Sequence, residues 1–143
     1  MNDSGFQRIL PEVTNFNRHF WSGGQDGHLH ILRCKDCSHH IHPPLPICNS
    51  CRSRNLEVAQ VSGKARVASF TINYQPWFPG LPVPYCVAIV ELIEQQGLRL
   101  TTNLVNCALE EVRIGMPVRV VFEQCEDVWL PLFEPDPNST PGD

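Results

Sequence analysis

The chain has 143 residues, the length of one ordinary domain or of two small modules, and 42% of them are hydrophobic. That share is enough for a packed core, so a wholly disordered chain is excluded. The formal net charge is -4, and no run of about 18 apolar residues predicts a membrane helix. The N-terminus also lacks the basic start and apolar stretch of a secretory signal. We therefore expect a soluble, cytoplasmic protein whose thiols stay reduced.

The charge is spread unevenly along the chain. Residues 33–66 carry six cations and two acids, whereas residues 86–143 carry ten acids and three arginines. Residues 67–85 carry no charge at all. This asymmetry indicates that different faces of the protein meet different partners.

The first predicted element is a short helix over residues 14–22. Thr14 can cap it, and the glycine pair at 23–24 ends it. The helix would place three aromatic side chains near one face: Phe16, Phe20 and Trp21. Residues 28–34 alternate loosely and predict a strand that leads into the first cysteine.

The remainder of the chain is rich in strand signals. "LEVAQVSGKARVASFTINYQ" predicts two strand pieces, the second of them long, and "YCVAIVELIE" and "LRLTTNLVNC" predict a hairpin around "QQG". "VRVVFEQCE" and "VWLPLFE" follow a weakly helical segment, "ALEEVRIGM". About five strands, with a helical segment between the third and the fourth, predict a five-stranded barrel of OB type.

The chain thus divides into four predicted parts. They are a helical arm (1–27), a small cysteine module (28–56), an OB-fold (57–134) and a disordered tail (135–143). The predicted fold class is mainly β.

Four of the seven cysteines form two C-x-x-C pairs. Each pair makes a tight knuckle with two sulfurs on one side, and ten residues between the pairs allow the knuckles to face each other. In a reducing compartment this spacing predicts one structural zinc ion per chain, bound by Cys34, Cys37, Cys48 and Cys51. Four thiolates leave no open coordination position, so the site should support folding and not catalysis.

Three histidines lie between the knuckles: His39, His40 and His42. We interpret them as solvated or packing residues because four thiolates complete the site; His39 alone is placed to replace a ligand. Ser38 and Arg52 follow the knuckles, at positions where a glycine would ease a positive φ.

The remaining cysteines, Cys86, Cys107 and Cys125, lie in or beside strand patterns, where a free cysteine usually packs in the core. All six histidines precede residue 43, so no pattern pairs a histidine base with any of these thiols. The sequence therefore predicts no enzyme that acts on its own.

Three segments of the sequence are similar to those of a known family. "FWSGGQDGHLHILRC", "CKDCSHHIHPPLPICNSC" and "LVNCALEEVRIGMPVRVVFE" make the chain resemble the "domain of unknown function 35" family over about residues 14–135. The resemblance implies a rubredoxin-like zinc ribbon followed by an OB-fold, with the four paired cysteines as zinc ligands. The chain departs from the family in lacking a glycine after each knuckle.

The resemblance also implies a function. Members of the family accompany thiolase-superfamily enzymes, including thiolases, hydroxymethylglutaryl-CoA synthase and steroid side-chain aldolases. The implied role is a non-catalytic subunit of a hetero-oligomer that acts on acyl-CoA in lipid or steroid degradation. It would support the enzyme in folding, in binding the CoA thioester or in channelling.

Two further sets of candidate residues follow. The basic stretch can bind the phosphates of the acyl-CoA, since Arg and Lys suit phosphate; its candidates are Arg33, Lys35, Arg52, Arg54, Lys64 and Arg66.

The uncharged loop over residues 75–84 either closes one end of the barrel or docks on the partner. Its candidate contacts are Trp77, Phe78, Leu81 and Val83. If these aromatics are core, the interface is expected on the hairpin of residues 85–107.

An alternative function is a single-stranded nucleic-acid-binding module, because zinc ribbons and OB-folds both serve that role. Such a module needs a basic groove with aromatic stacking platforms. The strands of residues 85–107 offer only Arg99 and Tyr85 for it, and the acidic β-rich half repels phosphate. Nucleic acid is therefore the less favoured partner.

Overall fold

The computed structural model describes residues 10–76 and 82–137. Within these ranges no helix is long and apolar enough to span a membrane. In the described part of the chain the regular elements are one helix and eight strands: α1 (Arg18–Gly23), β1 (Leu29–Cys34), β2 (His40–Ile41), β3 (Leu56–Val61), β4 (Lys64–Asn73), β5 (Tyr85–Leu92), β6 (Arg99–Leu104), β7 (Pro117–Cys125) and β8 (Val128–Pro135). Short 3-10 turns occupy Gly24–Asp26 and Leu109–Glu111.

The strands form two sheets. β1 pairs antiparallel with β2 on one side and β3 on the other, which makes a three-stranded ribbon beside the cysteines. β4, β5, β6, β8 and β7 close, in that order, into a barrel. The turn at Leu109–Glu111 lies between the third and fourth barrel strands, where a helical segment is predicted. The prediction of a five-stranded barrel is therefore confirmed.

Alternation along the strands fills the barrel. β5 buries every second side chain: Cys86, Ala88, Val90 and Leu92. This is the period of two that a strand with one buried face requires. Thr102 on β6 is a buried polar residue, and its hydroxyl donates to the Pro131 carbonyl at 2.8 Å. That bond reinforces the closure between β6 and β8.

β3 lies in the ribbon sheet, although the sequence pattern groups residues 57–61 with the barrel. It pairs with β1 along its whole length, from Leu29↔Val61 to Cys34↔Leu56. Gly63, at φ 79°, then turns the chain into β4. A Cβ at Gly63 would lie 2.3 Å from Cγ1 of Val120. The close approach of this turn to β7 therefore requires glycine.

The helical arm begins later than predicted. The Thr14 hydroxyl accepts from the N–H of Asn17 at 3.3 Å, and the Asn17 side chain accepts from the N–H of Thr14 at 2.7 Å. Thr14 thus builds a turn before α1 instead of capping it. Phe16 is 48% exposed, whereas Phe20 is 5% exposed and anchors the arm in the core. The prediction that Phe16 shares a helix face with Phe20 and Trp21 is therefore wrong, because Phe16 lies before α1.

The barrel extends into the predicted tail. Pro135 belongs to β8, and Asp136 is buried with its N–H donating to the Pro117 carbonyl at 3.0 Å. The prediction of disorder is therefore wrong for these two residues, because they complete the pairing of β8 with β7. Residues 138–143 lie outside the described ranges.

Candidate metal centre

The two cysteine knuckles repeat one backbone pattern. In the first, the N–H of Ser38 donates to the Cys34 carbonyl at 2.9 Å; in the second, the N–H of Arg52 donates to the Cys48 carbonyl at 2.9 Å. Ser38 and Arg52 both adopt φ 67°. The sequence identifies both positions as ones that favour glycine, and the structure confirms the positive φ at each.

The four paired cysteines come together as predicted. Their sulfur atoms all lie within 4.8 Å of one another. Two of the separations that join the knuckles are Cys34 to Cys51 at 3.5 Å and Cys37 to Cys48 at 3.6 Å. Four sulfurs at about 2.3 Å from a tetrahedral zinc ion would be about 3.8 Å apart. The donor set and its spacing therefore fit a zinc ion held by thiolates.

The two buried cysteines have stabilised thiolates. Burial raises the pKa of Cys34, but the N–H groups of Cys37 and Asp36 donate to its sulfur and bring the pKa below its ordinary value. The N–H of Cys51 donates to the Cys48 sulfur and is the main reason that its pKa falls to about 7. Backbone donors thus prepare these two sulfurs to bind a cation.

The exposed Cys51 shows how strongly the neighbouring sulfurs oppose ionisation of a fourth thiol. The N–H of Ser53 lowers the pKa of Cys51, but the neighbouring sulfurs of Cys34 and Cys37 outweigh it and raise the pKa to about 12. Four thiols this close cannot all ionise near neutral pH by themselves. A bound divalent cation would supply the charge that lets all four act as ligands.

The histidines between the knuckles stay outside the metal cluster. Among the described residues, the group able to hold a metal contains the four cysteines and no histidine. The His39 carbonyl accepts from the N–H of Cys34 at 2.8 Å, so its backbone supports the knuckle. His40 pairs through its backbone with the amide of Gln95.

His42 packs against the helical arm. Its ring centroid lies 4.6 Å from that of Phe20. Burial, with a smaller contribution from His19, lowers the pKa of His42 to about 4. The side chain is therefore neutral at physiological pH and joins the segment between the knuckles to α1.

The six basic candidates divide into paired and unpaired groups. Arg33 forms an ion pair with Glu57 at 2.9 Å, and Arg66 donates to the Gly115 carbonyl at 3.1 Å. Within the described ranges the other four side chains make no ion pair and no hydrogen bond: Lys35, Arg52, Arg54 and Lys64. The first three of these lie on the knuckles or just after them, where the N–H of Lys35 donates to the Asn55 carbonyl at 2.8 Å.

The predicted docking loop is only partly described. Trp77, Phe78 and Leu81 lie outside the described residues. Val83 is 37% exposed, and Tyr74, before the loop, is 71% exposed. Both flanks of the loop therefore present apolar surface.

The outer face of the sheet formed by β4, β5 and β6 has two adjacent rows of cross-strand neighbours without a charged residue. Ser69, Ile89 and Thr101 lie side by side on β4, β5 and β6. Thr71 and Val87 lie side by side in the next row. Ile89 is 37% exposed.

The other three thiols lie apart from the metal cluster. Cys86 is buried in the barrel, while Cys107 and Cys125 are half-buried. Burial, with the neighbouring Cys107, raises the pKa of Cys86, and burial with Glu111 raises that of Cys107. Both stay protonated thiols near neutral pH and make poor nucleophiles.

Comparison with known proteins places the chain in a family. Residues 21–57 match the family model described as "ChsH2, rubredoxin-like zinc ribbon domain", and residues 58–123 match "ChsH2, C-terminal OB-fold domain". A "DUF35 domain-containing scaffold protein" of Pyrococcus furiosus is 36% identical over 118 residues, which cover 81% of this chain and 82% of that protein. The chain belongs to the DUF35 family. The predicted family and its two-part fold are confirmed.

Other relatives of this DUF35 chain carry enzyme names. A "Probable enoyl-CoA hydratase alpha subunit" of Thermomonospora curvata is 35% identical over 129 residues, which cover 90% of this chain and 40% of that protein. The chain thus spans about 40% of the length of that curated relative. "Benzoylsuccinyl-CoA thiolase subunit BbsA" of Thauera aromatica is 30% identical over 97 residues, covering 66% of this chain and 65% of that protein.

A solved structure is also similar. One chain of the "Ltp2-ChsH2(DUF35) aldolase" superposes with a TM-score of 0.79 at 35% identity. The match covers 88% of this chain and 98% of that one. The ribbon and barrel of this chain thus correspond to nearly all of a chain solved as part of an aldolase.

Proposed function

We propose that this chain is a non-catalytic subunit that binds and supports a thiolase-superfamily enzyme acting on acyl-CoA thioesters. The observation that carries the proposal is the similarity to a chain of the DUF35 aldolase structure. The two chains are 35% identical, and the match covers 98% of that chain. The similarity to a thiolase subunit supports the same kind of partner. The chain would form a hetero-oligomer with that enzyme and help it to bind or channel the CoA thioester.

The chemistry of the described residues supports a non-catalytic role. The four clustered cysteines would complete the coordination of a metal and leave no position for substrate. The raised pKa values of Cys86 and Cys107 make those thiols poor nucleophiles. The reaction itself is therefore assigned to the partner.

The metal in this proposal is one zinc ion per chain, held by Cys34, Cys37, Cys48 and Cys51. When bound, zinc supplies a structural cross-link between the knuckles. The ribbon has only a small core of its own, formed by Cys34, Ile41 and Cys48 with Leu32 and Leu56 packed against it. Metal binding would therefore be part of its folding. Elemental analysis of the purified protein is expected to give about one zinc per chain, and a fully folded, metal-free protein would contradict the assignment.

The unpaired cations of the ribbon are the best-placed candidates for the phosphates of CoA. Lys35, Arg52 and Arg54 are exposed and have no acidic partner in the described ranges, and Lys64 is a fourth candidate. Arg33 and Arg66 are already engaged within the chain. We therefore narrow the six candidates to these four.

The contact with the enzyme is proposed for the loop of residues 75–84 and the uncharged sheet face formed by β4, β5 and β6. Trp77, Phe78, Leu81 and Val83 remain the predicted contacts. Tyr74 and Ile89 are exposed apolar side chains among the described residues and are further candidate contacts. An apolar surface of this kind suits a protein partner better than solvent.

The nucleic-acid alternative finds little support in the described contacts. Arg99 is paired with Glu91 at 3.1 Å, and Tyr85 is half-buried. The groove predicted for single strands therefore offers neither an unpaired cation nor an exposed ring at these two positions.

Co-production tests the proposal. The tagged chain is expressed together with a thiolase-superfamily enzyme of the same organism, and the mass of the purified species is measured by light scattering. We expect a hetero-oligomer of defined mass that contains both chains. Elution of each chain alone at micromolar concentration, together with tight binding of single-stranded DNA by this chain, would favour the alternative.

A further inference from the structure

The two knuckles differ in one side-chain contact. Asp36 occupies in the first knuckle the position that Ser50 occupies in the second. The backbone N–H of each donates to the sulfur of the first cysteine of its own knuckle. The Asp36 carboxylate also reaches the opposite knuckle, where it accepts a hydrogen bond from the Ser53 hydroxyl. Within the described residues the Ser50 side chain makes no such contact.

The Asp36–Ser53 hydrogen bond links the two knuckles at the same place where two of the sulfurs approach each other. The N–H of Asp36 donates to the sulfur of Cys34, and the N–H of Ser53 donates to the sulfur of Cys51. Those two sulfurs are 3.5 Å apart and belong to different knuckles. Asp36 and Ser53 therefore close a ring of contacts around one edge of the metal cluster.

Asn55 holds the bridge in place. Its N–H donates to Oγ of Ser53 at 2.9 Å, which leaves the hydroxyl hydrogen for Asp36. Its side-chain amide donates to the other Asp36 oxygen at 3.4 Å. Its carbonyl accepts from the N–H of Lys35 at 2.8 Å. Both members of the bridge are thus fixed by residues outside the cysteines.

We propose that Asp36 is a positioning residue of the metal centre. Through its hydrogen bond with Ser53, Asp36 holds the two knuckles at the separation that brings four sulfurs around one ion. Asp36 is not among the four residues whose side chains would hold the metal. Contacts that orient the ligands in this way typically change metal affinity by about 10- to 100-fold. The inference rests on the proposed zinc ion and is independent of the partner enzyme.

The test measures how fast zinc leaves the folded protein. Zinc-loaded wild type, Asp36→Ala, Ser53→Ala and the double variant are mixed with an excess of the chelator 4-(2-pyridylazo)resorcinol, and its absorbance is followed. Ser50→Ala is the matched control, because it alters the equivalent position without touching the bridge. The absorption of cobalt(II)-loaded samples checks that four thiolates still bind in each variant.

We expect Asp36→Ala and Ser53→Ala to release zinc about tenfold faster than wild type, and Ser50→Ala to stay within about twofold. The double variant should be no faster than either single one, because both changes remove the same bridge. Asp36→Asn keeps an oxygen that can accept from Ser53 and should lie between Asp36→Ala and wild type.

Equal release from Asp36→Ala and Ser50→Ala would overturn the proposal, as would effects that multiply in the double variant. If Asp36→Ala does not fold, the comparison of Ser53→Ala with Ser50→Ala decides in the same way. The zinc content of wild type is measured first. Absence of zinc there would overturn the metal assignment itself, which is a different result from zinc bound with a bridge that has no effect.

Discussion

The side-chain amide of Gln95 forms two hydrogen bonds with the backbone of His40: Oε1 accepts from the N–H at 2.8 Å, and Nε2 donates to the carbonyl at 3.0 Å. His40 lies on β2, the edge strand of the ribbon, and Gln95 lies in the turn between β5 and β6 of the barrel. The amide thus pairs with the edge of the ribbon as another strand would. Nearby, the Glu94 carboxylate accepts from the N–H of Ser62 at 2.8 Å. This turn therefore fixes the ribbon relative to the barrel.

Gln95→Ala is expected to destabilise the protein by about 1–3 kcal/mol, because two partly buried backbone groups of His40 lose their partners. The measurement is the free energy of unfolding in urea. Gln96→Ala, a change at the exposed neighbouring position, is the control and should cost less than about 0.5 kcal/mol. Equal losses in the two variants would show that the pairing of Gln95 with His40 contributes nothing.

The stability of the protein should fall as the pH drops from 6.5 towards 4. Burial lowers the folded-state pKa of His42 from 6.5 to about 4, so the unfolded chain binds the proton more readily across this window. The contribution is fully present above pH 6.5 and is lost as the pH falls through the folded pKa, with a limit of about 3 kcal/mol. His42→Phe keeps a ring against Phe20 but cannot titrate.

Unfolding free energies of wild type and His42→Phe at several pH values test this account. Protonation of the metal-binding cysteines destabilises both proteins alike, so the difference between their two curves isolates His42. The difference should change in favour of the variant by about 1–3 kcal/mol between pH 6.5 and 4. Parallel curves would mean that His42 keeps an ordinary pKa in the folded chain.

Neutralising the unpaired cations should weaken acyl-CoA binding by the assembled complex. Lys35→Gln, Arg52→Gln and Arg54→Gln each remove a charge that has no acidic partner in the described ranges. We expect pairs of these changes to raise the dissociation constant about 5- to 50-fold, and more strongly at low salt. Calorimetric titration measures it, with exposed Arg113→Gln, outside the ribbon, as the control. Unchanged affinity for every pair would remove the ribbon from the CoA site.

The double change Trp77→Ala, Phe78→Ala tests the docking loop. If the loop is an interface, the isolated protein keeps its fold and its zinc, while binding to the enzyme weakens by at least about 100-fold. Thermal melting, zinc analysis and light scattering of the mixture measure the three properties. Ile114→Ala, at a position that is 70% exposed in another loop, is the control. Unfolding of the isolated double variant would identify these aromatics as core and move the interface to the hairpin of residues 85–107.

The predictable parts of this molecule are the ones that local signals determine. The two C-x-x-C pairs fix their own knuckles, because each sulfur accepts from N–H groups two or three residues away. The strand alternation predicts which side chains of β5 enter the barrel. The positive φ values of Ser38 and Arg52 also follow from their places just after the knuckles.

The parts that sequence reasoning misses depend on contacts between distant residues. Nothing near residues 57–61 indicates that β3 pairs with β1 in the ribbon instead of joining the barrel. Gln95 meets His40 across 55 positions, and Asp36 meets Ser53 across 17. Asp36 and Ser53 are polar residues beside the knuckles, and this could have suggested a hydrogen bond between them. No regular sequence spacing, however, indicates which residue is the partner of which. The place of His42 against Phe20 likewise depends on how the arm docks.

The most direct test of the central claim is to titrate this chain into a purified thiolase-superfamily partner and to follow the turnover of its acyl-CoA substrate. We predict that turnover is low without the chain, rises with added chain and saturates at a fixed stoichiometry, while the chain alone turns over nothing. Full activity of the enzyme by itself, unchanged by any amount of this chain, would contradict the account.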